Sequence, residues 1–429
     1  VVDLPDLRRN GRCGLQFLLV LRWSSRRRSF VPGELMNNRL PMASRVEALE
    51  PEGAYRVLAR AQELEREGRD IIHLEIGEPD FATDAEICRA GIAAVQAGHT
   101  RYNPTAGIAE LRKAIADDAG RRRGIDVSPD NVVVGPGAKP HLLFPTLALV
   151  QQGDEVAYPD PGFPTYEAMI RVAGGVPVPI PLSEQNGLSF DFDALRDRLN
   201  PRTRMIVLNS PGNPTGGVIP LEDLKQIAEL ARQLNCWVMS DEIYARMCYD
   251  GHDAPSIASL PGMQQRTIIV DGFSKTYAMT GWRLGFGVMP TPLADKVSLL
   301  LVHGVGCTAH FTQWAGLQAI SGPQEHIANM LSEYRRRRDR LVSGLNSIDG
   351  VHCQTPAGAF YAFPNVRGLG RPSAELADML LEDAGVALLP GTAFGVQGEG
   401  FLRLCYANSI ENIERAVARL RDALGRLSR

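Results

Sequence analysis

The segment that decides the fold reads Thr267-Ile268-Ile269-Val270-Asp271-Gly272-Phe273-Ser274-Lys275-Thr276-Tyr277-Ala278-Met279-Thr280-Gly281-Trp282-Arg283-Leu284-Gly285. It begins with four residues that are β-branched and mostly apolar, a pattern that predicts a short buried strand. Lys275 therefore lies just beyond a strand end, among small and hydroxyl-bearing residues. This position differs from that of a lysine on the solvated face of a helix.

Lysine is rare in this chain, which makes its use at position 275 informative. Of the 46 basic residues, five are lysine and 41 are arginine. The guanidinium of arginine stays protonated, whereas a lysine amine loses its proton when it is desolvated or placed near other cations. Arg283 follows eight residues later and is such a cation. Taken alone, the segment leaves open both a nucleophilic lysine and an ordinary loop lysine.

The segment from Ser274 to Gly285 resembles the cofactor-lysine segment of the class I/II aminotransferases, which are fold-type I enzymes that use pyridoxal 5′-phosphate (PLP). The resemblance implies that Lys275 forms the internal aldimine with PLP and that Arg283 binds the PLP phosphate. It extends from about residue 43 to residue 429. Several further motifs follow one another in the order found in that family.

Composition sets limits on the class of protein. The 429 residues carry a net charge of -3, which gives no reason to expect a nucleic-acid partner. No apolar run approaches the roughly 18–20 residues needed to cross a bilayer, so we expect no membrane segment. The seven cysteines are scattered and form no Cys-x-x-Cys pair. This pattern favours a reduced, cytoplasmic location without a metal site.

Residues 1–42 differ from the rest of the chain. They contain eight arginines against Asp3, Asp6 and Glu34. An Arg- and Ser-rich segment is typical of a transit peptide, but the early acidic residues fit that class poorly. A misplaced start, with Met36 or Met42 as the true beginning, is the alternative. In either case we expect a disordered basic extension without a function of its own.

Strand-like and helix-like segments alternate from about residue 90 to 327, which predicts an α/β fold with a mainly parallel sheet. The resemblance implies a large PLP-binding domain over 90–327 and a smaller α+β domain built from 43–89 and 328–429. A helix is predicted over 46–68 and a strand over 71–76. Active sites of such folds lie in loops beyond the carboxyl ends of the strands.

A glycine-rich turn after the strand 132–134 predicts an anion site. Gly135-Pro136-Gly137-Ala138-Lys139 joins this strand to an apolar helix over 141–149. A helix start offers free backbone N–H groups and the positive end of the helix dipole. With Ser274 and Arg283, the residues Gly137, Ala138 and Lys139 form a plausible cup for one phosphate.

Three other loops supply candidates for contacts with the PLP ring. The resemblance implies that Asn213 in Asn-Pro-Thr-Gly and Tyr244 donate to the phenolic oxygen. It implies that Asp241 pairs with the pyridinium nitrogen and that Phe163 stacks on the ring. Each also has a structural alternative: a turn for Asn213, a helix cap for Asp241 and a hydrophobic plug for Phe163.

The resemblance also assigns residues to the substrate and to a second subunit. Arg403 lies within the apolar strand Phe401–Cys405 and needs an anionic partner, either an internal carboxylate or the α-carboxylate of a substrate. Gly77, in Gly-Glu-Pro-Asp-Phe, is a candidate contact to the substrate through its backbone. Tyr102 is expected to reach the phosphate in the partner of a homodimer, unless it is a packing residue.

Two further features are less decisive. Arg335-Arg336-Arg337-Arg338 lies in a charged helix predicted over 328–345, and flanking acidic residues favour a solvated helix face over a nucleic-acid patch. The segment 303–310 contains His303, Cys307, Thr308 and His310, any of which could face the site. Their context does not separate contact with a substrate from packing.

These observations predict a PLP-dependent aminotransferase that moves an amino group from an L-amino acid to a 2-oxo acid by a ping-pong mechanism. In this scheme Lys275 is the general base and acid, and Asp241 keeps the ring nitrogen protonated so that the ring accepts electrons. A lyase or cyclase on the same fold, performing β- or γ-elimination, is the alternative. A non-catalytic regulator that senses PLP is a third class, but residues 1–42 do not resemble an appended DNA-binding domain.

Overall fold

A computed structural model of the protein describes residues 42–47, 49, 51–252 and 254–426. The predicted N-terminal extension, residues 1–42, lies outside these residues except for Met42. None of the helices in the described part is long and apolar enough to cross a membrane.

Thirteen strands are present in the described part of the chain. In chain order they are β1 (Ile72–His73), β2 (Val132–Gly135), β3 (Glu155–Asp160), β4 (Val176–Ser183), β5 (Ser189–Phe190), β6 (Thr203–Asn209), β7 (Trp237–Asp241), β8 (Thr267–Gly272), β9 (Gly285–Val288), β10 (Tyr361–Ala362), β11 (Val386–Ala387), β12 (Leu389–Pro390) and β13 (Leu402–Cys405). Most of the predicted strands are confirmed, with ends that differ by one or two residues. The strand predicted over 71–76 is reduced to β1.

The α-helices of the described residues are α1 (Ser44–Glu47), α2 (Gly53–Arg66), α3 (Ala85–Gln96), α4 (Ala109–Arg123), α5 (Lys139–Leu149), α6 (Thr165–Val172), α7 (Phe192–Arg198), α8 (Leu221–Gln233), α9 (Thr291–Gly304), α10 (His310–Ser321), α11 (Glu325–Leu345), α12 (Ser373–Glu382) and α13 (Ile410–Leu424). The single helix predicted over 46–68 is wrong, because α1 and α2 are separate. Pro51 lies between them, and proline disfavours helical geometry in the residue before it.

Eight strands form the central sheet, in the order β2-β9-β8-β7-β6-β3-β4-β5. The pairs β8/β7, β7/β6, β6/β3 and β3/β4 are parallel, whereas β9 runs antiparallel to both of its neighbours and β5 is antiparallel to β4. The predicted mainly parallel sheet is therefore confirmed. Because β2 and β6 to β8 point the same way, the ends at Gly135, Asn209, Asp241 and Gly272 share one edge of the sheet.

The sheet is covered by apolar residues on both faces. Along β6, Met205 and Val207 pack into one apolar cluster while Ile206 and Leu208 pack into another. Successive side chains of a strand point to opposite faces, so a strand buried on both sides is apolar at every position. This explains the continuous apolar runs that precede each candidate site residue.

Two smaller sheets lie outside the eight-stranded sheet. Strands β10, β13 and β12 form an antiparallel sheet, and β1 pairs with β11 in parallel. Their apolar cluster joins Ile72 and Leu74 to residues of α11, α12 and α13. The N-terminal segment therefore packs with the C-terminal part of the chain. The division of the chain at residues 90 and 327 stays a prediction.

The arginine run of α11 is only half solvated, which corrects the interpretation of a wholly solvated face. Arg335 and Arg336 are exposed, but Arg337 and Arg338 are 7% and 2% exposed. Arg337 donates to both carboxylate oxygens of Asp80 at 2.8 Å. Charge counting along the sequence missed this pair because the two residues lie 257 positions apart.

Candidate active site

One cavity of about 620 Å³ lies at the carboxyl edge of the central sheet. Most of the site residues predicted from the sequence line it. They are Gly77, Ala138, Lys139, Phe163, Asn213, Asp241, Tyr244, Ser274, Lys275, Arg283 and Arg403. The parallel strands end at the same edge, which is why residues far apart in sequence meet here.

Lys275 lies three residues beyond the end of β8, as predicted. Its Nζ atom donates to the carbonyl oxygen of Gly77 at 2.6 Å. Burial lowers the pKa of the Lys275 amine to about 8, because desolvation disfavours the charged form. The amine is therefore much closer to its nucleophilic form near neutral pH than an ordinary lysine is. The lowered pKa favours a nucleophilic lysine over an ordinary loop lysine, and the bond of Lys275 to a cofactor stays a prediction.

Asp241 is the last residue of β7 and is buried. The hydroxyl of Tyr166 donates to its Oδ2 atom at 2.8 Å, and the Ile243 N–H donates to its Oδ1 atom at 3.2 Å. Burial raises the pKa of the Asp241 carboxyl to about 6, and the two hydrogen bonds oppose this shift. In the described residues no α-helix follows before β8. The alternative role of Asp241 as the cap of a following α-helix is therefore wrong.

Polar groups from three elements meet beside Asp241. Asn213 lies in the loop after β6, and its buried Oδ1 atom has no hydrogen-bond partner among the described residues. The hydroxyl groups of Tyr244 and Tyr361 are 2.7 Å apart. A buried amide oxygen without a partner is costly. The Asn213 amide is therefore suited to a ligand that completes its hydrogen bonds.

The glycine turn and Arg283 come together as the anion site requires. Gly137 has a φ of +86°, and a Cβ atom at this position would lie 2.4 Å from Nη2 of Arg283. Only glycine allows so close an approach. Ser274 is buried and lines the cavity together with Ala138 and Lys139. The side chain of Lys139 is half exposed and is ion-paired with Glu52.

Arg403 is 3% exposed in the middle of β13. Its Nη2 atom donates to the backbone oxygen of Glu75. The rings of Tyr361 and Phe394 lie 4.8 and 5.1 Å from the guanidinium carbon. Its buried Nε atom has no partner, and no carboxylate of the described residues forms an ion pair with it. The internal salt bridge that the sequence left open is therefore absent from the described part of the chain.

Two predicted residues are placed less decisively. Phe163 lines the cavity, 5.4 Å from the Lys139 amine and perpendicular to the ring of Tyr166. Its stacking on a cofactor ring stays a prediction. Tyr102 is 95% exposed and does not line the cavity of its own chain. A contact with a second subunit accounts for such a position, and it also stays a prediction.

The histidines of the segment 303–310 do not line the cavity. His310 packs against His99 and Trp314, with ring centroids 4.5 and 6.5 Å away. Cys307 and Thr308 line a surface pocket that shares Glu78, Thr280, Gly281 and Arg283 with the active-site cavity. A contact of Cys307 or Thr308 with a substrate stays a prediction.

Sequence reasoning missed two tyrosines of the site. Tyr166 orients Asp241, and Tyr361 bonds with Tyr244 and packs against Arg403. Gly77 is part of the same arrangement, since a Cβ atom on it would lie 2.2 Å from the Tyr361 hydroxyl. The signal for Tyr361 in the sequence is the mixture of aromatic and small residues over 358–363. This pattern fits a buried core strand equally well.

Comparisons with known proteins agree with this geometry. A sequence profile described as "Aminotransferase class I and II" matches residues 69–420. An aspartate aminotransferase of Pyrococcus horikoshii is 39% identical over 385 residues, which is 89% of this chain and 97% of that protein. An aromatic-amino-acid aminotransferase of Thermococcus litoralis is 36% identical over 388 residues, covering 90% and 98%.

Solved structures show the same likeness. The crystal structure of an aspartate aminotransferase from Rhizobium meliloti superposes with a TM-score of 0.87 at 34% identity, covering 90% of this chain and 100% of that one. These relatives are named as aminotransferases, which disfavours the alternatives of a lyase and of a non-catalytic regulator. The chain therefore belongs to the class I and II aminotransferases, as a fold-type I enzyme that transfers amino groups.

Proposed function

We propose that this aminotransferase binds PLP through Lys275 and moves an amino group from an L-amino acid to a 2-oxo acid by a ping-pong mechanism. One observation carries the proposal. A desolvated amine (Lys275), a buried carboxylate (Asp241) and a buried guanidinium (Arg403) line a single cavity. PLP chemistry requires these three groups together, because they meet the aldehyde, the ring nitrogen and the substrate carboxylate respectively.

The residues present fit PLP at both ends of the cavity. At one end Gly137, Ala138, Lys139, Ser274 and Arg283 supply backbone N–H groups, a hydroxyl and a guanidinium for the phosphate. At the ring, the side-chain amide nitrogen of Asn213 and the hydroxyl of Tyr244 are donors that suit the phenolic oxygen. Asp241, held by Tyr166, suits the protonated ring nitrogen. Phe163 lines the same cavity and would pack against one face of the ring.

The roles of the protein groups follow from their charge states. PLP, when bound, supplies an aldehyde carbon that joins to amines and a ring that accepts the electron pair of the substrate α-carbon. Lys275 removes the proton from the α-carbon and returns it to the adjacent cofactor carbon. An amine with a pKa near 8 suits both tasks. Asp241 holds its negative charge beside the ring nitrogen and keeps that nitrogen protonated.

The substrate is held by its α-carboxylate. Arg403 has a buried Nε atom without a partner and a planar fork that matches two carboxylate oxygens. The backbone of Gly77 lies beside it and keeps the Lys275 amine within reach. The cavity is also lined by Tyr55, Leu58 and Ile76. Relatives named for aspartate and for aromatic amino acids make these the first donors to test.

We infer further that the enzyme is a cytoplasmic homodimer with shared active sites, without nucleic-acid or membrane partners. The exposed ring of Tyr102 supports a second subunit. Covering the apolar part of the ring at a subunit interface would be favourable, and the hydroxyl would still be able to form a hydrogen bond. In the homodimer Tyr102 donates to the phosphate bound by the partner. The scattered cysteines support a reducing compartment.

A labelling experiment tests the cofactor assignment. The purified protein should be yellow, and borohydride should fix the chromophore to the peptide that contains Lys275, as located by mass spectrometry. Lys275→Arg keeps the positive charge but cannot form the bond, so it should bind PLP reversibly and lose transamination by at least a thousandfold. A colourless preparation with full activity, or a label on another lysine, would contradict the proposal. Ammonia released from the donor without an acceptor would indicate elimination instead.

A further inference from the structure

We propose that a second cleft on this protein binds a small oxyanion, such as a phosphate group, between the guanidinium groups of Arg122 and Arg123. The cleft has a volume of about 750 Å³. Its charged lining residues are Asp118, Arg121, Arg122, Arg123, Glu242 and Arg246. It shares none of its described lining residues with the active-site cavity.

The cleft lies on the other face of the central sheet. Asp241 lines the active-site cavity, whereas the next residue, Glu242, lines the cleft. The Glu242 N–H donates to the Val270 carbonyl and so continues the ladder between β7 and β8. Neighbouring side chains in an extended chain point to opposite faces. The proposed site is therefore separate from the proposed PLP site and stands or falls independently of it.

Arg123 is the buried member of the site. Its Nε atom donates to Glu242 at 2.6 Å and its Nη2 atom donates to Asp271 at 2.9 Å. The side chain is 4% exposed. Its remaining nitrogen, Nη1, is buried and has no hydrogen-bond partner among the described residues. A buried charged donor without a partner is costly, and an anion in the cleft would remove this cost.

Arg122 supplies the second set of donors. Its Nη1 atom lies 3.7 Å from Asp118 and 3.9 Å from Asp271, too far for hydrogen bonds. Its guanidinium makes no hydrogen bond to the described residues. Arg122 and Arg123 both approach the same Oδ2 atom of Asp271, so the two guanidinium groups lie close to each other. Burial also lowers the pKa of Arg122, as expected where a cation is short of close partners.

The four arginines of the cluster outnumber its three carboxylates, so the net positive charge favours an anion. Arg121 and Arg246 both donate to the Oδ1 atom of Asp118, at 2.8 and 2.6 Å. Arg123 bonds to both Glu242 and Asp271. The charges of these three arginines therefore balance the charges of the three carboxylates. Arg122 and the Nη1 atom of Arg123 are left over. A phosphate group has several acceptor oxygens and bridges two guanidinium groups well.

Calorimetric titration of the PLP-loaded enzyme with inorganic phosphate tests the site, because PLP then fills the other phosphate site. Ionic strength is held constant with chloride. Wild type should bind phosphate, and Arg122→Gln should weaken binding at least tenfold. Lys113→Gln removes an equal charge from the same helix at a 68% exposed side chain and should bind like wild type. Arg122 makes only long ion pairs, so its variant should unfold within a few degrees of wild type.

Two outcomes would overturn the proposal: no phosphate binding by wild type, or equal affinity of wild type and Arg122→Gln. A parallel titration with phenyl phosphate separates the sources of the anion. Tighter binding of the ester than of inorganic phosphate indicates an organic phosphate as the ligand, and weaker binding indicates the free ion. Either result supports the site, provided that Arg122→Gln weakens the binding.

Discussion

At the scale of single residues, the reactivity of the site rests on desolvation. The same burial lowers the pKa of the Lys275 amine to about 8 and raises that of the Asp241 carboxyl to about 6. Both shifts favour the neutral form of the group. A pyridinium beside Asp241 would lower the pKa of that carboxyl again, because a nearby positive charge favours the ionised form.

Lys275 therefore carries a stability penalty that depends on pH. Its pKa is 10.5 in an unfolded chain and about 8 in the fold, so between these values the unfolded chain binds more protons. The penalty is fully present below pH 8, declines as the pH rises and is gone above 10.5. Lys275→Met should raise the free energy of unfolding of the cofactor-free protein at pH 7 by up to about 3 kcal/mol.

Urea unfolding at pH 7 and at pH 10.5 measures this effect, with the difference between variant and wild type expected to close at the higher pH. Lys225→Met is the matched control, because Lys225 is half exposed on α8. A constant difference at both pH values would show that packing, not desolvation of the amine, distinguishes the variant.

The presence of single residues in the active-site cavity was predictable where a motif is continuous in sequence. Lys275 and Arg283 share one segment, and Asn213, Asp241 and Tyr244 each follow an apolar strand. Tyr166 and Tyr361 were not identified from the sequence, because their hydrogen-bond partners Asp241 and Tyr244 lie 75 and 117 positions away. The sequence indicated that Arg403 needs an anionic partner. In the structure its buried Nε atom has no hydrogen-bond partner among the described residues.

At the scale of elements, the anion site depends on how closely β9 approaches the glycine turn. A Cβ atom on Gly285 would lie 2.4 Å from the carbonyl carbon of Gly137 and 2.6 Å from the nitrogen of Ala138. Both contacts are to backbone, which cannot move aside without displacing the turn. The pairing of Gly135 with Gly285 keeps the two elements in register.

Gly285→Ala should therefore displace the turn. We expect a loss of about 1–3 kcal/mol in the free energy of unfolding, as for other overpacked sites, and a PLP affinity at least tenfold weaker. Chemical unfolding and a PLP titration measure the two quantities. Gly281→Ala is the control for stability, since its added methyl meets open space and should leave the free energy of unfolding unchanged. Unchanged PLP affinity in Gly285→Ala would show that the turn does not hold the phosphate.

Element boundaries were less predictable than the elements themselves. The helix predicted over 46–68 is interrupted near Pro51, and only two residues of the strand predicted over 71–76 are paired. Periodicity reports which residues are buried, but pairing depends on a partner strand that the local sequence does not contain. The arginines of α11 show the same limit, because Arg337 and Arg338 find their partners in other elements.

At the scale of the whole molecule, the central sheet brings the active-site residues of one chain together. In the proposed homodimer a second subunit would add Tyr102 to them. Asn213, Asp241 and Lys275 follow three neighbouring strands, so the fold brings them to one edge. Tyr102 lies outside this cavity. In the proposed homodimer each active site combines Lys275 of one chain with Tyr102 of the other.

Mixing two inactive variants tests this arrangement. Tyr102→Ala should lower PLP affinity at least tenfold, and Lys275→Ala should be inactive. In a mixed dimer, the chain with Tyr102→Ala keeps its lysine and receives an intact tyrosine from its partner, so one site of the pair is complete. At limiting PLP, unfolding and refolding the mixture should restore up to about a quarter of wild-type activity. Activity no higher than that of the separately refolded variants would contradict an active site shared between the two chains.

The alternation of strands and helices, the mainly parallel sheet and the class of chemistry were predicted from the sequence, because each depends on residues that are neighbours along the chain. Burial alternation, a glycine turn and a lysine after a strand are local signals. The protonation states, the free donors of Arg403 and Arg123, and the tyrosines behind Asp241 and Tyr244 were decided by tertiary contacts. Desolvation and hydrogen bonding act through space, and only the packed chain determines which groups are left without water and without a partner.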